Sequence, residues 1–258
     1  MTRGKRIAEG VLIAVFWLGI WFLVAWWVGK PLLLPTPTGV LRCLFELAGT
    51  AEFYAATAYS LGRVMSGILA SILAAALLSA LTSRLPLLRR TLQPLMTVVK
   101  ATPVASFIVL AVIWLGSERV TSFVTLLIVL PVVWTNLDQG FAEIDPRLDE
   151  LTRVYKLSYW RRLRVLVLPS LRPYFVSACR TSFGLALKAG IAAEIIALPK
   201  TSIGTKIFES KQYIMAEDTF AWTLLVILIS LGIEALFGLL MKRLDRRGGK
   251  KEGTYAEI

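Results

Sequence analysis

Three charges interrupt an otherwise apolar stretch, residues 173–198: Arg180, Lys188 and Glu194. A charge at the centre of a bilayer costs about 2.5–3.5 kcal/mol on insertion scales, so each must face protein or water. The chemistry open to such groups is electrostatic, either attraction of an ion or pairing across helices. Lys188 and Glu194 are six residues apart and do not stack on one helix face. Each is therefore expected to pair with another helix or with a second copy of the chain. Two readings of Lys188 stand: it lines a path for an anionic solute, or it snorkels or forms a structural pair. Glu194 is a second path candidate, but its place near the far end of the stretch favours a structural role. Arg180 and Arg63 read as snorkelling side chains, and Glu234 as a partner for Lys or Arg below it.

Other chemistry is poorly provided for. There is no histidine, which removes His-based metal sites and imidazole acid–base catalysis. Cys43 and Cys179 are far apart and form no CxxC. No G-x-x-x-x-G-K-[ST] run occurs, so the chain has no Walker A loop for ATP. No catalytic, cofactor-binding or metal-binding residue is assigned.

The elements that must position these charges are membrane spans. The 258 residues are 56% hydrophobic and 18% charged, against about 45–50% and 25% in a soluble domain. Mean hydropathy is +0.67. These values exclude a disordered chain and speak against a soluble enzyme. The expectation is one all-α polytopic domain, residues 1–258, with about six spans near 8–29, 58–83, 94–116, 119–137, 173–198 and 219–241. The first span reads as a retained signal-anchor helix, because its apolar run is too long for a cleaved leader. Arg and Lys concentrate at the N-terminus, after the second span, in residues 138–172 and in the tail. With six spans these fall on one side, and the positive-inside rule places both termini in the cytoplasm. The net charge of +12 then needs no nucleic acid. On the opposite side, Pro35 and Pro37 lead into a short helix, with Thr38 as its expected cap, lying in the interface plane.

The stretch 138–172 is longer than a turn between spans requires. Asp145-Pro146 starts one helix, Ser158 starts another, and Pro169 and Pro173 are expected to mark the return to the membrane. The pair forms a helical hairpin, which either docks on a cytosolic partner or rests on anionic lipid.

This hairpin resembles the EAA loop of binding-protein-dependent ABC importer permeases. The family pattern is Glu-Ala-Ala, three residues, Gly, nine residues, Ile, one residue, Leu-Pro. Glu150 takes the Glu position, Leu151 and Thr152 replace the alanines, and Leu166, Leu168 and Pro169 fall at the expected spacing. Lys156 stands in place of Gly. A left-handed turn there would cost a non-Gly residue ~1 kcal/mol or more, so a more helical turn is expected. Further matches run along the chain and resemble the nitrate/sulfonate/taurine branch. They are Leu34-Pro35-Thr36-Pro37 with Val40, Ser60-Leu61-Gly62-Arg63-Val64 with Gly67, Pro94, Thr102-Pro103, Trp114-Leu115-Gly116, and Ala193-Glu194 with Gly204. Lys188 departs from the aromatic residue usual in that branch.

The resemblance implies the type I importer permease fold and a multi-pass subunit of the bacterial inner membrane. Its partners would be an ABC ATPase dimer, an extracytoplasmic solute-binding protein, membrane lipid and a second permease copy, most simply in a homodimer. Glu150, Leu151, Thr152, Arg153, Val154, Tyr155, Lys156 and Leu157 would form the coupling helix, with Leu168 and Pro169 closing the loop. Leu151, Val154 and Tyr155 would supply contact area, Arg153 and Lys156 rim charge, and Glu150 would pin the hairpin by accepting hydrogen bonds. The solute would be small and, given Lys188, anionic. Nitrate, sulfonates, taurine and thiamine precursors all remain open. The rival is a secondary transporter, which would need a coupling-ion site of intramembrane carboxylates, for which only Glu194 and Glu234 are candidates.

Overall fold

The computed structural model describes residues 3–252, and the described residues contain helices but no strand. In chain order they form α1 (Arg3–Val28), α2 (Pro37–Ala48), α3 (Ala51–Thr82), α4 (Pro86–Ala101), α5 (Val104–Leu115), α6 (Ser117–Ala142), α7 (Pro146–Val154) and α8 (Tyr159–Arg162). A π-helical turn (Leu163–Val167) leads into α9 (Leu168–Ala197), followed by α10 (Ile203–Gln212) and α11 (Ala216–Glu252). Segments of α1, α3, α6 and α11 are each long and apolar enough to cross a membrane. The pair α4 and α5 makes a fifth such unit, broken in the middle. At 30 residues, α9 spans about 45 Å, but its charges set it apart from the purely apolar helices.

Helices α3, α6 and α9 form the centre of the bundle. Small residues let their backbones approach, the usual solution where lipid removes the hydrophobic drive between helices. A Cβ on Gly190 of α9 would stand 2.6 Å from the Val64 side chain and 3.3 Å from Thr125 Oγ1. One on Gly67 would strike the Ser122 carbonyl and the Thr125 side chain. Around these contacts Val64, Ile68, Val129, Val133, Trp134 and Leu187 fill the core. By contrast α1 leaves most of its apolar surface open. It attaches near its C-terminal end, where Trp21 Nε1 donates to the Pro35 carbonyl (3.1 Å) and the ring stacks on Phe220.

Several local expectations are corrected. The third span is not continuous: α4 and α5 meet at 102°. Pro103 brings no N–H and drives Thr102 out of the helical region, to ψ 131°. Thr36, not Thr38, caps α2; its hydroxyl accepts from the Gly39 N–H (3.2 Å), and Pro37 fills the first helical position. At Pro169 and Pro173 the chain does not break. Before Pro169 the helix widens into the π-turn, with the Leu168 N–H reaching back to the Leu163 carbonyl. Pro169 brings no N–H to the helical ladder, and the helix continues through it.

Replacing Gly190 with Leu should separate α9 from α3 and destabilise the purified protein by about 1–3 kcal/mol. A thermal melt in mild detergent reads this. Gly62→Leu, where nothing lies within 4 Å of the added Cβ, should melt within about 1 °C of the parent.

Candidate functional site

The hairpin is built at the end of the bundle where α3 and α6 finish. Asp145 caps α7 by accepting from the Arg147 N–H (2.8 Å), with Pro146 in the first turn. The other end of α7 closes in a Schellman motif: Leu157 N–H donates to the Thr152 carbonyl and Lys156 N–H to the Arg153 carbonyl, both 3.0 Å. Lys156 therefore adopts φ +49°. This overturns the expectation of a more helical turn: the left-handed residue is kept without glycine, because two backbone hydrogen bonds hold it.

Asp149 pins the two arms. Its carboxylate accepts from Arg153 Nη2 (2.9 Å) within α7 and from Arg162 Nε (2.8 Å) and Nη2 across the hairpin. Partial burial works against its charge, but the hydrogen bonds of Arg162 and Arg153 outweigh it and hold the carboxyl below the usual range. Glu150, the residue expected to pin the hairpin, is exposed, and its carboxylate has no hydrogen-bond partner among the described residues. Thr152 is buried and donates to the Asp149 carbonyl (2.7 Å). Leu148, Leu151, Val154 and Tyr155 are exposed, the last at 75%. They recur every three or four residues and so form one apolar face on α7. Arg153, Lys156, Leu168 and Pro169 are also exposed, and Leu157 is half-buried. Behind the hairpin lies a cavity of about 370 Å³ lined by Arg84, Phe141, Ile144, Tyr159 and Arg162 among others. The Arg84 guanidinium sits 5.1 Å from the Tyr159 ring centroid.

At the opposite end a charge network ties the bundle together. Glu194 is 0% exposed. Its carboxylate accepts from Ser60 Oγ (2.7 Å) and the Gly204 N–H (3.2 Å), and Arg63 Nη1 lies 3.7 Å away. Arg63 also donates to the Thr201 carbonyl (2.8 Å) and pairs with Glu118, whose other oxygen takes the Lys200 N–H (2.9 Å). Arg63 is thus the hub of an ion network, not a snorkelling side chain. A Cβ on Gly204 would strike Glu194, so glycine alone permits the contact. Glu194 lies inside the protein. Lys188 lies on an open face of α9 with no partner among the described residues. The basic side chains from Lys242 onward, expected partners of Glu234, lie outside the described residues.

From sequence, Asp149 and Glu118 carry no role, Ser60 and Gly204 enter only as matches to the family branch, and Arg63 reads as a snorkelling side chain. For Asp149 a local signal existed, the i,i+4 spacing to Arg153. The contacts of Arg63 join residues more than fifty positions apart and leave no periodic trace.

The model of the family described as "Binding-protein-dependent transport system inner membrane component" matches residues 66–249. The chain is 23% identical over 249 residues to a putative aliphatic sulfonates transport permease protein of Bacillus subtilis (strain 168), covering 95% of this chain and 89% of the relative. It is 25% identical over 248 residues to the taurine transport system permease protein of Escherichia coli (strain K12), covering 92% and 89%. A bicarbonate transport system permease protein of Synechocystis is 27% identical over 158 residues, covering 60% and 56%.

Two measurements check the hairpin. Lys156→Gly should relieve the left-handed strain and stabilise the turn by about 0.5–1 kcal/mol, read as slower hydrogen exchange at the Leu157 amide. Because the Asp149 carboxyl is held low, its contribution is complete above about pH 4, the ordinary Asp value, and is lost only as pH falls through the lower folded value. Spin labels at positions 154 and 161 should keep one separation from pH 7 to about pH 4 and spread below it. In Asp149→Asn they should be spread at every pH.

Proposed function

We propose a mechanism for a chain that belongs to the binding-protein-dependent transport system inner membrane component family: its hairpin receives the stroke of a separate ATPase, and α9 carries that stroke to the solute path. The protein is a multi-pass inner-membrane permease of an ABC importer, of the sulfonate/taurine/nitrate branch. Transport, not catalysis, is the activity of its relatives.

The observation that carries the coupling role is the open apolar face of Leu148, Leu151, Val154 and Tyr155 on a pinned hairpin. Contiguous exposed apolar surface marks an interaction site, and this one stands at the basic, cytoplasmic end of the bundle, with both termini on the same side. A chain without a Walker A loop depends on a partner for ATP. Nucleotide-driven closure of a two-fold ATPase would move two such hairpins, one on each copy of a permease homodimer, and rock the bundles as rigid bodies. The run from α8 through the π-turn to α9 is unbroken from Tyr159 to Ala197. Displacement at Asp149–Arg162 therefore reaches Lys188 and Glu194 without a flexible joint.

The solute is a small oxyanion delivered by an extracytoplasmic binding protein. Relatives are named for sulfonates, taurine and bicarbonate, and Lys188 places a cation on the open face of α9. Glu194 serves the path by position: it fixes α9 to α3 and α10 and does not touch solute.

A pull-down from native membrane in mild detergent tests the docking face. A Walker-bearing ATPase should accompany the parent and be lost from the Glu150→Ala/Leu151→Asp variant. Absence of any ATPase from the parent after cross-linking would overturn the reading in favour of a secondary transporter. Lys188→Leu should retain the ATPase and reduce uptake at least tenfold; normal uptake would remove Lys188 from the path.

A further inference from the structure

Glu234 of α11 is exposed at membrane depth, as are Arg180 and Lys188 of α9. Their positions fall in one row along α9. Glu234 Oε1 sits against Gly184, where a Cβ would stand only 2.9 Å from it. Gly184 lies four residues after Arg180 and four before Lys188, so all three positions share one face of α9. The carboxylate therefore rests on the glycine, with the backbone of a cationic residue about 6 Å along the helix axis in each direction. Packing of Phe183 on Phe237, centroids 5.1 Å apart, fixes α9 and α11 in this register. None of the three charges makes an ion pair of 4 Å or less among the described residues.

We propose that Arg180, Glu234 and Lys188 form an anion-exchange station on the solute path, in which the Glu234 carboxylate occupies the place of a small oxyanion until the solute displaces it. This rests on the reading that α9 lines the path. Two cations around one carboxylate leave a net positive charge where a low dielectric strengthens attraction for an anion. A cationic solute would meet two like charges. The carboxylate prevents those cations from facing each other unscreened when no solute is present. It is held by proximity and not by a direct bridge, so it can give way. Gly184 matters because any side chain there would fill the space the carboxylate uses.

Chemical rescue tests the station independently of the natural solute. The detergent-purified permease–ATPase complex would be melted with sodium methanesulfonate or, at equal ionic strength, sodium chloride. Glu234→Ala vacates the oxyanion place, so methanesulfonate at millimolar concentration should raise its melting temperature by about 2 °C or more over chloride. The parent should shift by less than half as much, and the rise should vanish in Glu234→Ala/Lys188→Leu and Glu234→Ala/Arg180→Leu. Should Glu234→Ala fail to assemble, Glu234→Gln keeps the side-chain volume and carries the same expectation, with a smaller rise. No rise over chloride, a rise in the parent equal to that in the variant, or a rise that survives loss of either cation would each overturn the proposal. Co-purification of the ATPase is scored in the same samples. Its absence from the parent sinks the importer reading, whereas its presence without rescue sinks the station alone.

Discussion

A carboxylate with none of its surface open to solvent must be compensated where it stands, and the compensation of Glu194 organises the bundle. Uncompensated, a buried charge costs several kcal/mol. Here Ser60 of α3, the N-terminal backbone of α10 at Gly204 and the guanidinium of Arg63 converge on it. Two helices, α3 and α10, are thereby fixed to one point on α9, and Arg63 extends the tie to α6 through Glu118. Small residues then let α3, α6 and α9 approach closely below that point. The network supplies register and the glycines supply proximity; neither alone defines the arrangement.

The hairpin end is built on another logic. There the polar groups are satisfied locally, by a cap at Asp145, a Schellman closure at Lys156 and the Asp149 pin, while apolar side chains are left open. A hairpin held by hydrogen bonds of its own can expose Leu151, Val154 and Tyr155 without unfolding. Rigidity of this kind reduces the entropy lost when a partner seats on it. The two ends of α9 are thus both anchored, one in the protein and one in the hairpin.

What the sequence made legible follows what is local or periodic. Apolar length announced a polytopic helical protein, Asp145-Pro146 announced the start of α7, and charge in an apolar run singled out residues 180, 188 and 194. The break at Thr102-Pro103 was hidden because the flanking residues are apolar whether the span is straight or bent. The pin was assigned one residue late, to Glu150, because composition does not reveal which of two adjacent acids faces Arg162. Arg63 was misread because an arginine near a span end has a bland explanation until its distant partners are known. The π-turn was hidden in Leu163–Val167, where Arg164 stands alone among Leu163, Val165, Leu166 and Val167 and one polar residue does not mark the helix phase.

That turn has a consequence for how the hairpin changes over evolutionary time. A π-turn holds one residue more than the α-helix needs, and it still closes about one full turn, with the Leu168 N–H stacked over the Leu163 carbonyl. A residue gained or lost in ordinary α-helix turns everything beyond it by about 100°. Within the wide turn the same change leaves both flanking segments in nearly the same phase. The chain can therefore change length at this one place while the docking face stays aimed at its partner.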